Sequence, residues 1–199
     1  GAGAVMMLVG GIHWGWVGGA IAAAGGLLYF VVFVLDYNRS RFEYWLNPWA
    51  DAQGSGYQLS QSLLTIGSGG LLGVGLGKSR QKFLYLPEEH NDFIFAIVCE
   101  ELGLIGATVI MLLFAALILR GFWIALHARD RFGSLMVVGV VTLVGLQTFL
   151  NIGVVTGLLP TTGISLPFFS YGGTALSIQL AEMGVVLSVS RQMKPTRAG

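Results

Sequence analysis

The chain has 199 residues, 54% of them hydrophobic and 11% charged, with 30 glycines and 5 prolines, and a mean hydropathy of +0.74. That balance excludes an ordinary soluble domain and indicates an integral membrane protein, in which small residues serve close helix packing and helix breaks are tolerated where neighbours satisfy the backbone. A formal net charge of +1 without a basic tract argues against nucleic acid as a partner, and Cys99, the only cysteine, rules out an intramolecular disulfide.

No initiator Met is present, and the first apolar run, Gly1 to Ile12, is shorter than the ~20 residues a membrane span needs. No basic segment precedes Ala4-Val5-Met6-Met7-Leu8, so the run reads as the tail of a cut helix and not as a signal peptide. The later runs Trp14–Leu35, Phe93–Leu119, Phe132–Thr156 and Phe168–Ser190 can each cross ~30 Å of hydrocarbon as a helix. The expected fold is therefore an all-α polytopic helical bundle, with four complete transmembrane helices, a truncated one and a long loop over residues 36–91.

Arg120, Arg129 and Arg131 in the connector Arg120–Arg131, and Arg191, Lys194 and Arg197 in the tail, place both segments in the cytoplasm by the positive-inside rule. Parity then puts the loop Asp36–Asn91 and the uncharged connector Gly157–Pro167 on the outer face. The loop's own Arg39, Arg41, Lys78, Arg80 and Lys82 are balanced by Asp36, Glu43, Asp51, Glu88 and Glu89.

Within that loop, Leu59, Leu63 and Ile66 alternate at helical spacing with Gln58, Gln61, Ser62 and Thr65, which predicts a short amphipathic helix over Tyr57–Ile66 near the interface. The following run, Gly67 to Gly77, can fold close against neighbours or a ligand. Gly77-Lys78-Ser79 is not a phosphate loop, because the upstream glycine that motif requires falls at Leu72. What remains is a glycine segment delivering Lys78, Arg80 and Lys82 at alternate positions, suited equally to a phosphate-bearing ligand or to anionic lipid headgroups.

Glu88, Glu89, His90, Asn91 and Asp92 then stand directly against the apolar segment that starts at Phe93. Carboxylates there are expensive to desolvate, so they are either solvated caps or parts of a polar site facing away from lipid. The cluster lacks the helical histidine spacing of zinc enzymes, and no protein metal site is expected. A substrate-bridged magnesium or manganese ion needs few protein ligands and stays open as a cofactor. Asp92, placed before Phe93-Ile94-Phe95, is also a candidate helix N-cap.

Glu100, Glu101 and Glu182 fall inside apolar runs and are expected to face the protein interior or water. Gln147 and Asn151, one helical turn apart, are expected to hydrogen-bond between helices. Leu159 to Gly173 breaks one helix and starts the next, and irregular backbone of this kind is tolerated where protein buries it, so the turn is expected beside the long loop. Ser170 and Tyr171 could reach a ligand there.

Several stretches together resemble the SEDS family of bacterial shape, elongation, division and sporulation proteins (FtsW, RodA and SpoVE). They are Asn47-Pro48-Trp49-Ala50-Asp51 with Gly54-Ser55-Gly56-Tyr57-Gln58, the glycine run through Arg80-Gln81-Lys82, Tyr85-Leu86-Pro87-Glu88 through Glu101-Leu102-Gly103, and Asn151 through Gly173. Trp49 and the Tyr85-Leu86-Pro87 context look more like the division and sporulation branch. The resemblance implies a larger transmembrane domain of which this chain is the C-terminal half.

It also implies a peptidoglycan glycosyltransferase that polymerises lipid II on the outer face of the cytoplasmic membrane, with a class B penicillin-binding protein as transpeptidase and other division or elongation proteins as partners. The family's essential aspartate, in its His-x-Asp-Phe signature, maps onto Asp92. Asn91 stands where the family commonly has Thr, and Glu89 where Ala or a basic residue is frequent. Asp92 would be the general base, or would orient the attacking sugar hydroxyl. A carboxylate is a weak base at neutral pH, so that role calls for burial against Phe93 and Phe95 or for the nearby Glu88 and Glu89. Lys78, Arg80 and Lys82, or a divalent ion, would neutralise the pyrophosphate leaving group. Gln58, Gln61, Glu88, Glu89, His90, Ser170 and Tyr171 complete the expected substrate contacts. Intramembrane acids and broken helices also suit a lipid flippase, and a division scaffold would need Asp92 only as a cap.

Overall fold

A computed structural model of the chain describes residues 45–50, 56–78, 92–169 and 172–193, with isolated helical positions between residues 3 and 26. Four helices are delimited: α1 Tyr57–Gly69, α2 Ile94–Leu126, α3 Arg131–Val155 and α4 Gly173–Arg191, and no strand occurs among the described residues. Helices α2, α3 and α4 are long and apolar enough to cross a membrane. The span expected over Trp14–Leu35 lies mostly outside the described residues.

Helix α2 is broken near its start. Gly103 has φ 68° and ψ −172°, a conformation open essentially to glycine alone. In an unbroken helix Leu104 and Ile105 would donate to the Glu100 and Glu101 carbonyls. Here their N–H groups donate to Gly70 O (3.0 Å) and Leu71 O (3.3 Å), while Glu100 O and Glu101 O accept from Val74 N (2.9 Å) and Gly75 N (3.1 Å). The glycine run after α1 thus enters the break and replaces each lost helical bond on both sides. Unpaired, those groups would each cost several kcal/mol in hydrocarbon. Leu71, Leu72 and Leu76 project from the inserted loop and are exposed.

Helix α2 continues past Leu119 to Leu126, so Arg120 lies within the helix and not in the connector expected from Arg120 to Arg131. Its guanidinium sits 4.1 Å from the Trp123 ring centroid, a cation–π contact that lets the charge remain on a helical turn. Asp130 caps α3 by accepting from Gly133 N at 2.9 Å. Helices α2 and α3 approach closely where Gly121 faces Val141, whose Cγ1 would lie 3.0 Å from a Cβ on that glycine.

Two apolar clusters hold the helices together. One contains Phe93, Phe95, Cys99, Phe114, Val154, Val155 and Leu166. The other contains Ile124, Ala125, Val137, Val141 and Val186. The first gathers the start of α2, the end of α3 and the connector to α4; the second lies where α2 ends and α3 begins.

Helix α4 starts at Gly173, later than the expected Phe168, because Phe168 has φ 66° and cannot be helical. Its backbone N–H donates to Gln179 Oε1 of α4 at 2.8 Å. Its ring stacks on Phe114 at 6.4 Å. Helix α1 forms over the expected amphipathic segment, but part of its polar face is turned inward, since Ser60, Ser62 and Thr65 are buried beside Leu59. Small hydroxyl side chains can be buried when they donate to a carbonyl, and each of these does.

Candidate functional site

The end of α3 presents carbonyls that have no helical donor. Ser62 of α1 donates to Val155 O at 2.8 Å, and the Trp45 indole donates to Gly157 O at 2.8 Å. Gly157, with φ 76°, turns the chain out of the helix. The connector 157–167 is thereby fastened to the long loop, as expected from its irregular backbone.

One turn earlier in α3, Asn151 is 1% exposed and uses its side-chain amide twice. Nδ2 donates to Asp92 O at 2.7 Å and to Ile164 O at 2.8 Å. A single side chain therefore joins the entrance of α2 to the middle of the connector. Asp92 itself is half-buried. Its Oδ2 faces the connector at Gly163, where a Cβ would lie 3.4 Å away. Phe93 and Phe95 turn into the apolar cluster behind it, at 3% and 2% exposure.

The cap reading of Asp92 is corrected by this geometry. The N-cap of α2 is Phe93, with φ −107° and ψ 17°, and it carries no side-chain cap hydrogen bond. Asp92 stands one residue outside that position, so its carboxylate is directed to the connector and not to the helix end.

Lys78 is exposed and held elsewhere. Its N–H donates to Gly75 O at 3.1 Å, and Gly75 in turn donates to Glu101 O. That anchor lies on the order of 13 Å along α2 from Asp92, at ~1.5 Å per helical residue. Gln58 and Gln61 are half-buried on α1, the helix that Ser62 ties to the end of α3. Arg80, Lys82, Glu88, Glu89, His90, Ser170 and Tyr171 lie outside the described residues. Among the described residues no group of three or more His, Cys, Asp or Glu side chains could hold a metal ion.

Of the acids in the apolar runs, Glu100 is buried at 3% exposure, while Glu101 and Glu182 are half-buried. The roles of Trp45, Ser62 and Gly163 were not foreseen from the sequence. Asn151 was expected to bond between helices, and its partners are instead carbonyls at the entrance of α2 and in the connector.

The profile of the FtsW/RodA/SpoVE family, described as cell cycle proteins, matches residues 1–195. The chain is 56% identical over 168 residues to the stage V sporulation protein E of Bacillus subtilis, covering 83% of this chain and 46% of that protein. It is 48% identical over 192 residues to the probable peptidoglycan glycosyltransferase FtsW of Geobacter metallireducens, covering 96% and 51%. To the peptidoglycan glycosyltransferase MrdB of Escherichia coli K12 it is 40% identical over 196 residues, covering 97% and 53%. The chain thus spans about half the length of the curated relatives it matches, and the higher identities fall on the sporulation and FtsW side.

Among solved structures, a chain of a peptidoglycan synthase complex described as coordinating polymerisation and crosslinking superposes with a TM-score of 0.73 at 30% identity, over 96% of this chain and 53% of that one. An aspartate-to-alanine variant of the rod-shape-determining protein RodA from Thermus thermophilus gives a TM-score of 0.52 at 36% identity, over 69% and 41%. With its apolar helices, its broken α2 and a family match over nearly its whole length, this multi-pass membrane chain belongs to the FtsW/RodA/SpoVE (SEDS) family.

Proposed function

We propose that this chain forms the acceptor-handling part of a peptidoglycan glycosyltransferase that polymerises lipid II during cell division or sporulation. The observation that carries the reading is Asp92, a half-buried carboxylate at the entrance of a membrane helix, facing a connector to which its own backbone is tied through Asn151. Relatives over this same stretch carry the name peptidoglycan glycosyltransferase.

In this reading the 4-hydroxyl oxygen of one lipid-linked sugar attacks the anomeric carbon of another. A new C–O bond forms as the bond to pyrophosphate breaks, and the electron pair leaves with the polyprenyl pyrophosphate. The hydroxyl proton passes to the Asp92 carboxylate, which also orients the attacking oxygen. Lys78, with Arg80 and Lys82, neutralises charge on the departing pyrophosphate. Asp92 and the connector face the outside of the cytoplasmic membrane, the C-terminus lies in the cytoplasm, and a class B penicillin-binding protein crosslinks the product.

The test is to reconstitute the full-length protein with its penicillin-binding partner and purified lipid II, and to resolve the products on a gel. A ladder of glycan polymer supports the reading. Lipid II moved across vesicles without polymer would instead mark a transporter, and partner recruitment with neither activity would mark a scaffold.

A further inference from the structure

Arg120 interrupts the apolar sequence of α2 shortly before that helix ends at Leu126. Trp123 and His127 follow it at spacings of three and four residues, so the three share one face of the helix. The Arg120 guanidinium lies 4.1 Å from the Trp123 ring centroid, and the His127 ring stacks on the same indole at 4.3 Å and 27°. His127 Nδ1 stands 2.9 Å from Trp123 O. A carbonyl only accepts, so Nδ1 carries a proton and the bond holds the imidazole against the indole.

This face points away from α3. Ile124 and Ala125 are buried in the cluster with Val137 and Val141, whereas Arg120, Trp123 and His127 are exposed. Leu112, Leu119 and Leu126, at 64%, 70% and 82% exposure, recur every seventh residue on the same side. Arg129 in the short connector and Arg131 at the start of α3 are exposed as well. Asp130 is the one acid between Arg120 and Arg131, and its carboxylate is engaged in capping α3 through Gly133 N at 2.9 Å. Positive charge therefore gathers at this end of the bundle, beside a stripe of leucines.

An arginine on an outward-facing turn of a membrane helix is costly unless its guanidinium reaches phosphate or water. The indole holds Arg120 by cation–π attraction but offers no acceptor oxygen to its N–H donors. A ligand that suits the whole face is amphiphilic, with an anion at Arg120 and hydrocarbon along Leu112 and Leu119. We propose that Arg120, with Arg129 and Arg131, forms a binding site for the headgroup of an anionic phospholipid. Phosphate oxygens accept from the arginines, Trp123 and His127 hold the Arg120 guanidinium in place, and the acyl chains lie against the leucines. An acidic protein segment would match the charge and leave the leucine stripe unfilled. On the topology proposed above, this end of the bundle meets the cytoplasmic leaflet. The inference is independent of the glycosyltransferase chemistry.

The test is native mass spectrometry of the full-length protein released from micelles holding equimolar dioleoyl phosphatidylglycerol and dioleoyl phosphatidylcholine. Wild type should retain phosphatidylglycerol in preference, and Arg120→Gln should cut that preference about fivefold at an unchanged melting temperature. Arg129→Gln combined with Arg131→Gln should cut it about tenfold or more, and decides the matter if Arg120→Gln does not fold. Equal retention of the two lipids by wild type, or a preference that survives both sets of arginine replacements, overturns the inference. So does release of the bound phosphatidylglycerol by glycerol 3-phosphate or by polyglutamate as effectively as by free phosphatidylglycerol. The first result would mark a soluble phosphate as the occupant, and the second an acidic protein.

Discussion

Gly73 and Gly103 occupy the space each would need for a side chain. A Cβ on Gly103 would strike Gly73 N and Leu71 O, and one on Gly73 would strike the carbonyl of Glu101 and, at 2.7 Å, Gly103 N. Both residues also have positive φ, 78° at Gly73 and 68° at Gly103. The break in α2 and the glycine run that fills it are one structure, with neither half viable alone.

Gly103→Ala should therefore destabilise the full-length protein by about 3 kcal/mol, combining a strained φ with a backbone collision that no side-chain rotation relieves. Gly67→Ala is the control, since a Cβ there meets nothing within 4 Å. Melting of the detergent-purified protein should fall clearly for the first variant and stay level or rise slightly for the second.

Ser62→Ala should cost about 1–3 kcal/mol, because it leaves the Val155 carbonyl buried without its donor. Trp45→Phe removes the indole N–H from Gly157 O, a part-buried bond, and should cost about 1 kcal/mol. Both losses loosen the end of α3, so limited proteolysis should cut the connector 157–167 faster in each variant than in wild type.

At Phe168 the strained backbone is held by an acceptor from α4. Gln179→Leu removes that acceptor and should destabilise by about 1–2 kcal/mol, whereas Gln179→Glu retains an oxygen at the same place and should melt close to wild type. Phe114→Ala, which removes a buried ring from contact with both Phe168 and Phe169, should cost about 3–5 kcal/mol.

The long apolar runs made α2, α3 and α4 legible in the sequence, since only a helix satisfies its backbone over such a length in lipid. The family was legible too, from motifs at both ends of the loop. The break at Gly103 was not, because its replacement donors and acceptors come from Gly70 to Gly75, which no periodicity connects to α2. The depth of α1 was hidden for a related reason. Ser62 reads as surface until a carbonyl such as Val155 O is found for it. Helix ends misread by several residues, Leu119 and Phe168, are places where a cation–π contact and a left-handed phenylalanine override the pattern of apolar residues. Asp92 before an apolar run looks like a cap, and only the conformation of Phe93 shows that the cap is one residue further on.

The central claim, that the Asp92 carboxylate takes part in forming the glycosidic bond, is tested most directly by Asp92→Asn in the full-length protein with its partner, using purified lipid II. Asparagine keeps the size and the backbone carbonyl that Asn151 holds, and removes the charge and the proton acceptor. Glycan polymer should fall by about 100-fold or more, at unchanged melting temperature and unchanged partner binding. Polymer formed by Asp92→Asn at the wild-type rate would contradict the account.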